Sequence, residues 1–467
     1  MRARLLRAAG IASLVFATAA CGGTATNATP NGAATLPYSR RASSSSAIQH
    51  VVIVIQENRT FDNLFATFPN ADGTTQGRMK LPSGGYSYIP LQKSNLVEPC
   101  DFGHSYRGYR KDYDNGAMDG FNLEGGGKPC PGPTGTKTYQ YVNRAQIAPY
   151  WAIAKSWVLA DHMFQTQGSG SFTAHQDLIR GGTLIEAGRK SKTLVDFPSA
   201  MPWGCDAPKY TKTSILVSKG VDELSHYRRH DGPFPCLTYP TLRDLLDSKG
   251  VTWKYYSPPE PRGTGKLWSA FDAIQAVREG PEWATNVVPT TQFFSDVQYG
   301  QLAGLSWIVP DLFNSDHPAT AYDYGPSWVA SIVNAIGESA YWNSTAVIVV
   351  WDDWGGFYDH VAPPLQDQSG GLGFRVPMLL VSPYARKASP KHPGYVSHTQ
   401  YEFGSIIKFV EDTWNLGSLG TTDVRATSIV DSLDFSQSPR PFHPIPSERS
   451  RVFFEHQRPS YQPVDTE

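Results

Sequence analysis

Two short apolar, β-branched runs, each breaking off into acidic or amide side chains, constrain this chain more than any other feature. His50-Val-Val-Ile-Val-Ile55 is a continuous run of the kind that forms a strand buried on both faces of an α/β sheet. It leads into Gln56-Glu57-Asn58-Arg59-Thr60-Phe61-Asp62-Asn63. Ala346-Val-Ile-Val-Val-Trp351 repeats the device and leads into Asp352-Asp353-Trp354-Gly355-Gly356-Phe357-Tyr358-Asp359-His360. In open α/β sheets ligands bind at the carboxyl ends of strands, so two such ends side by side would gather Glu57, Asn58, Asp352 and Asp353. Runs at 304–309 and 376–381 read as further strands, and helical patterns lie at 240–250, 327–336 and 401–414. Strands and helices in alternation predict an α/β fold with a mainly parallel central sheet and helices on both faces. Residues 65–139 show no clear period and are expected to form long irregular loops over the site. The stretch from about Thr421 is expected to lie extended on the surface.

The first 21 residues stand apart. Arg2, Arg4 and Arg7 precede an uncharged apolar stretch at 8–20, the arrangement of an export signal and too short to cross a bilayer comfortably. Thr18-Ala19-Ala20 before Cys21-Gly22-Gly23 resembles a bacterial lipoprotein processing site, with Thr18 where Leu is usual. Lipidation of Cys21, which would tether the protein to a membrane, and ordinary cleavage nearby are both open. Residues 22–47, rich in Gly, Ala, Thr, Asn and Ser, bury too little apolar surface to offset their ordering entropy and are expected to be a flexible tether. With Cys21 set aside, Cys100, Cys130, Cys205 and Cys236 remain, an even number that suits two disulfides in an exported chain. Loop closure favours the local pairs, Cys100 with Cys130 and Cys205 with Cys236; zinc is the rival use, but no C-x-x-C pair exists. The 41 Lys+Arg against 42 Asp+Glu give no sign of a nucleic-acid groove.

Each chemical candidate has an ordinary alternative. Glu57-Asn58 can be a solvated loop after a strand. Adjacent Asp352 and Asp353 repel unless they diverge, take a proton or share a cation, and a hard divalent ion is the simplest remedy. In Gln167-Gly-Ser-Gly-Ser171-Phe-Thr-Ala-His175-Gln176 a hydroxyl at a helix N-terminus can cap the helix or attack an anionic ester. His104, His175, His317, His360 and His398 each read alone as a satisfied loop histidine.

In order, these pieces resemble the phosphoesterase family of bacterial phospholipases C and acid phosphatases. The resemblance rests on the run from His50 to Asn63, Asp114-Asn-Gly-Ala-Met-Asp-Gly-Phe121, Ser315-Asp-His-Pro318, the run from Asp352 to Val361, Gly373-Phe-Arg-Val-Pro377 and Ser397-His-Thr-Gln-Tyr-Glu402. It implies an alkaline-phosphatase-like core and one divalent metal ion held by Glu57, Asn58, Asp352 and Asp353 together with Ser171, without fixing which metal. Gly170-Ser-Phe-Thr-Ala-His-Gln176 looks like the acid-phosphatase nucleophile segment, which points to Ser171; Ala174-His175-Gln176 stands where the phospholipase C branch typically has Pro-Asn-Arg. The family usually has Asp-Glu-x-Gly-Gly in the second metal motif, and Asp353-Trp354 departs from it. In this reading His317 protonates the leaving alcohol, His104 binds phosphate oxygens, and His175 or His360 supports the site. One phosphoesterase domain is then expected over 48–445, with a tail at 446–467. The expected substrate is a small-molecule or lipid phosphate ester, met outside the cytoplasm; a relative whose catalytic centre has decayed into a surface binding protein is the alternative of another class. Oligomeric state is left open.

Overall fold

In the computed structural model, which describes residues 47–127, 130–187, 191–219, 226–260, 266–364 and 371–462, the two apolar runs lie side by side. One sheet contains β1 (His50–Gln56), β2 (Val158–Ala160), β3 (Trp253–Tyr256), β4 (Val287–Val288), β5 (Leu305–Ile308), β6 (Thr345–Trp351), β7 (Met378–Val381) and β8 (Tyr395–Ser397). Their spatial order is β4-β3-β5-β1-β6-β7-β2-β8. β1 pairs in parallel with β5 on one side and with β6 on the other, Gln56 opposite Trp351. Pairs β3–β4, β3–β5 and β2–β8 are also parallel, and β7 alone runs antiparallel to its neighbours. The described residues between β6 and β7 hold no helix, and an antiparallel neighbour does not need the crossover that a parallel one does. Val51 to Ile55 and Ala346 to Trp351 have no exposed surface, which explains the unbroken apolar run where a half-exposed strand would alternate.

Helices cover both faces. Trp307 of β5 and Tyr255 of β3 stand in register, and the Trp307 indole donates to the Leu178 carbonyl at 3.1 Å, placing α1 (Ser171–Arg180) over their face. The next residue of β3 points the other way: the Tyr256 hydroxyl donates to Asp296 at 2.8 Å, in a helix that packs on α2 (Gly325–Gly337). α3 (Phe403–Trp414) packs on α1. It starts later than the pattern at 401 suggests because Tyr401–Glu402 first pairs with Met163–Phe164, and Glu402 and Ser405 then form a capping box.

The expectation of irregular structure over 65–139 is only partly met. Gln76–Lys80 and Tyr86–Pro90 form an antiparallel hairpin and Tyr106–Tyr113 is a helix. A second, four-stranded sheet, not anticipated from the sequence pattern, spans Leu184–Ala187, Ser191–Pro198, Thr213–Lys219 and His226–Arg228. The chain after Thr421 is largely without regular structure, yet Phe454 is buried and the Ser460 amide donates to Asp311 at 2.8 Å, so it is fastened to the domain. The export signal and the tether lie outside the described residues.

Disulfides join Cys100 to Cys130 and Cys205 to Cys236, the local pairs. Replacing Cys205 and Cys236 together by serine is expected to lower stability by about 2–4 kcal/mol in urea denaturation; an unchanged midpoint would contradict a structural role for this bridge.

Candidate active site

Because β1 and β6 are parallel neighbours, the loops leaving their carboxyl ends start together. The Asp352 amide donates to the Gln56 carbonyl at 2.9 Å, which extends the ladder by one step. Asp352 Oδ1 then accepts from the amides of Asn58 at 2.9 Å and Asp353 at 2.7 Å, so the carboxylate is clamped and its other oxygen, Oδ2, is buried without a hydrogen-bond partner. Asn58 holds a left-handed backbone, φ 56°, which asparagine tolerates better than most side chains. Its loop touches the next one closely: a Cβ on Gly355, itself at φ 58°, would stand 2.5 Å from the Asn58 carbonyl oxygen. Glycine is therefore required there on two counts.

Ser171 is the first residue of α1, and Gly170 before it offers no capping side chain. The serine does not cap the helix; its hydroxyl donates to Asp353 Oδ2 at 3.1 Å, while Asp353 Oδ1 accepts from the Gly355 amide at 2.7 Å. The two neighbouring hydroxyls are engaged elsewhere. Ser169 donates to Asp196, and Thr173 donates to the same Asp196 oxygen at 2.7 Å. Four residues along α1 from Ser171, hence on the same face, His175 brings Nε2 to 3.1 Å from Glu57 Oε1 and 3.7 Å from Asp352 Oδ2. Donor atoms of Glu57, His175 and Asp352 all lie within 4.8 Å of one another.

Two more imidazoles border the carboxylates. His104 donates from Nδ1 to the Phe102 carbonyl at 2.7 Å, which fixes its tautomer, so Nε2 accepts from the Asn58 side-chain amide at 3.1 Å. The Asn58 amide oxygen is left buried and unpartnered. In this arrangement His104 orients Asn58, and a bond from His104 to a phosphate oxygen would require that contact to be exchanged. His317 donates from Nδ1 to the Pro318 carbonyl at 2.5 Å and stacks on Trp268 with ring centroids 5.6 Å apart. Its ring meets that of His104 edge-on at 6.2 Å. The loop carrying His317 is anchored by Arg59, whose guanidinium donates twice to the Asp316 carbonyl, at 2.8 and 2.6 Å.

Glu57, Asp352 and Asp353 are fully buried, and among the described residues no Lys or Arg pairs with Asp352 or Asp353. Burial first, and the Asp352 charge second, push the Asp353 carboxyl well above the ordinary range. Three buried carboxylates gathered with imidazoles, together with two oxygens on Asp352 and Asn58 that lack hydrogen-bond partners, make a donor set that fits a hard divalent ion.

Eight of the ten sequence candidates, Glu57, Asn58, His104, Ser171, His175, His317, Asp352 and Asp353, are thus linked by direct contacts or close ring approach. His360 is not among them: its Nδ1 lies 2.7 Å from Asp62 and its Nε2 3.2 Å from Asp72, in a network centred on Arg375. Of the two histidines expected to support the site, His175 is the one placed beside Glu57 and Asp352. His398 bonds Asp161. Sequence reasoning missed Asp101, which shares a cluster with His104 and His317, although its three-residue spacing from His104 was visible. Trp268 and Asp196 carried no local signal, since each reaches the site from a distant segment.

Known proteins resemble this chain over most of its length. Phospholipase C A of Mycobacterium tuberculosis (strain ATCC 25618 / H37Rv) is 26% identical over 392 residues, covering 73% of this chain and 68% of its own length. The non-hemolytic phospholipase C of Pseudomonas aeruginosa is 24% identical over 431 residues, covering 82% of this chain and 56% of its own. Among solved structures, a protein in the alkaline phosphatase superfamily from Vibrio parahaemolyticus aligns with 84% of this chain and 73% of its own at 10% identity, with a TM-score of 0.36. The sequence model of the Phosphoesterase family matches residues 48–417, most of the chain and every residue of the site, and the chain belongs to that family of phosphoric ester hydrolases.

Proposed function

We propose that this protein hydrolyses phosphate esters through Ser171, with a divalent metal ion held by Glu57, Asn58, Asp352 and Asp353 and with Ser171 at its edge. The observation that carries the reading is the Ser171 hydroxyl, placed at an uncapped helix N-terminus and 3.1 Å from a buried carboxylate. A phosphoryl group carries dispersed negative charge and is served best by fixed donors and cations. When bound, the ion would neutralise part of that charge and lower the pKa of the serine hydroxyl.

The remaining work falls to the chain's own groups. The first-turn amides of α1 point their N–H bonds at the phosphoryl oxygens. Ser171 Oγ attacks phosphorus in line, forming the Ser–O–P bond as the ester P–O bond breaks, and its proton passes to Asp353 or to solvent. His317 as an imidazolium, held through Nδ1–H by the Pro318 carbonyl, gives its Nε2 proton to the departing alkoxide and becomes neutral. Water then attacks the phosphoserine, losing its proton to the now neutral His317 as the Ser–O–P bond breaks; Ser171 Oγ regains a proton from Asp353 or solvent, and phosphate leaves. His175, with Nε2 within reach of both Glu57 and Asp352, orients the two carboxylates.

Ala174-His175-Gln176 favours a phosphomonoester as substrate. A second reading, cleavage of phospholipids at the glycerol side of the phosphate, is supported by the names of the curated relatives. Phosphomonoester, phosphodiester and phosphatidylcholine substrates, each assayed with and without chelator, separate the two. Turnover of the monoester that is lost on chelation and restored by a divalent ion is expected; hydrolysis of phosphatidylcholine alone would favour the second reading. The four disulfide-bonded cysteines and the N-terminal segment support an exported protein, with Cys21→Ser expected to release it from membranes if it is lipidated.

His317→Ala should slow alkyl phosphates at least about a hundredfold while slowing aryl phosphates with good leaving groups far less, because only the former need a proton in the transition state. Equal losses on both, measured as kcat/KM, would remove His317 from the acid role.

A further inference from the structure

The carboxyl edge of the sheet carries a second cluster of ligating side chains. β2 and β8 are parallel neighbours with Ala160 opposite Ser397, and each ends as β1 and β6 do. Asp161 and His162 follow β2, and His398 follows β8. His162 Nδ1 lies 2.8 Å from one Asp161 oxygen and His398 Nδ1 lies 2.8 Å from the other. One ligand atom from each of the three residues falls within 4.8 Å of the others. β7 separates β2 from β6, so at two strand spacings the cluster stands about 10 Å from the Asp352 edge.

We propose that Asp161, His162 and His398 form a second divalent-cation site, of zinc-like preference, that supports the fold beside the active site. One carboxylate and two imidazoles suit zinc or a similar late first-row ion. Asp161 is fully buried and His398 is 60% exposed, so a fixed carboxylate faces an opening through which an ion and its water can enter. With Nδ1 of each ring on the ion, the ring proton resides on Nε2. For His162 that nitrogen is 3.3 Å from Asp72, which supplies the outer carboxylate that commonly orients a ligating histidine. Asp62, Asp72 and Asp359 nearby are paired with Arg375 and His360, whereas Arg375 meets Asp161 only at its backbone carbonyl, which leaves the two imidazoles as side-chain partners of the Asp161 carboxylate. An ion at this point would tie the loop at Asp72 to the ends of two strands.

The test uses the full chain, stripped by chelator and titrated with zinc alone by equilibrium dialysis, comparing wild type, Asp352→Asn, His398→Ala and the double variant. His398 is largely exposed, so its replacement leaves folding intact, which circular dichroism checks. Wild type should lose one zinc equivalent on His398→Ala, or bind it at least about tenfold more weakly, and Asp352→Asn protein should keep the zinc that His398→Ala removes. Asp72→Asn should weaken the same zinc about tenfold or more. Identical binding by wild type and His398→Ala, or equal binding by Asp352→Asn and the double variant, would overturn the proposal. The Asp352→Asn arm reads the catalytic ion separately, so failure of one site does not mask the other.

Discussion

Ser171→Ala is expected to lower turnover at least about a thousandfold while leaving the folded protein nearly as stable as before. The substitution removes the hydroxyl that donates to Asp353 and little volume, and residue 171 makes no cap whose loss would unravel α1. Neither neighbouring hydroxyl can take over without a rearrangement, because Ser169 and Thr173 are both bonded to Asp196. Steady-state kinetics on a phosphomonoester, with circular dichroism as the folding control, measure the effect. Turnover within tenfold of wild type would place the nucleophile elsewhere.

Asp352→Asn should have an effect of similar size by a different route. Its Oδ1 clamp on two backbone amides can be kept by an amide oxygen, so the loop should hold its course, but a formal charge disappears from the ligand set. Bound metal and turnover should therefore fall together, and Glu57→Gln should do the same. Elemental analysis of the purified variants against wild type provides the measure. Wild-type protein that is active with no stoichiometric metal would contradict the ligand assignment. The Asp352→Asn change should also ease the burial of Asp353, whose carboxyl is pushed up in part by the Asp352 charge, so a variant that is inactive yet at least as stable as wild type is the expected signature.

The centre of this site was legible in the sequence because its physics is local. A strand buried on both faces must be apolar throughout, so β1 and β6 announced themselves, and the polar residues that interrupt them had to lie at strand ends. The family motifs then marked Ser171 and His317. What the sequence concealed depends on contacts between distant segments. His360 follows Asp359 in the same motif as Asp352, yet Asp62 and Arg375 draw it into a different network. Trp268 supports His317 from nearly fifty residues away, and Asp196, which occupies Ser169 and Thr173, comes from the four-stranded sheet. That sheet escaped notice because several of its described positions are part-exposed, which blurs the periodic signal. His104 shows the same limit on a finer scale: it is expected to bind phosphate oxygens, but only the bond from the Asn58 amide reveals what its Nε2 is doing.

Acid-quench trapping with a labelled phosphomonoester, followed by peptide mass analysis, tests the central claim most directly. A phosphoserine at Ser171, formed within one turnover and absent from Ser171→Ala protein, is the result this account requires. Label on Ser169, Thr173 or a histidine, or none under conditions of rapid turnover, would contradict it.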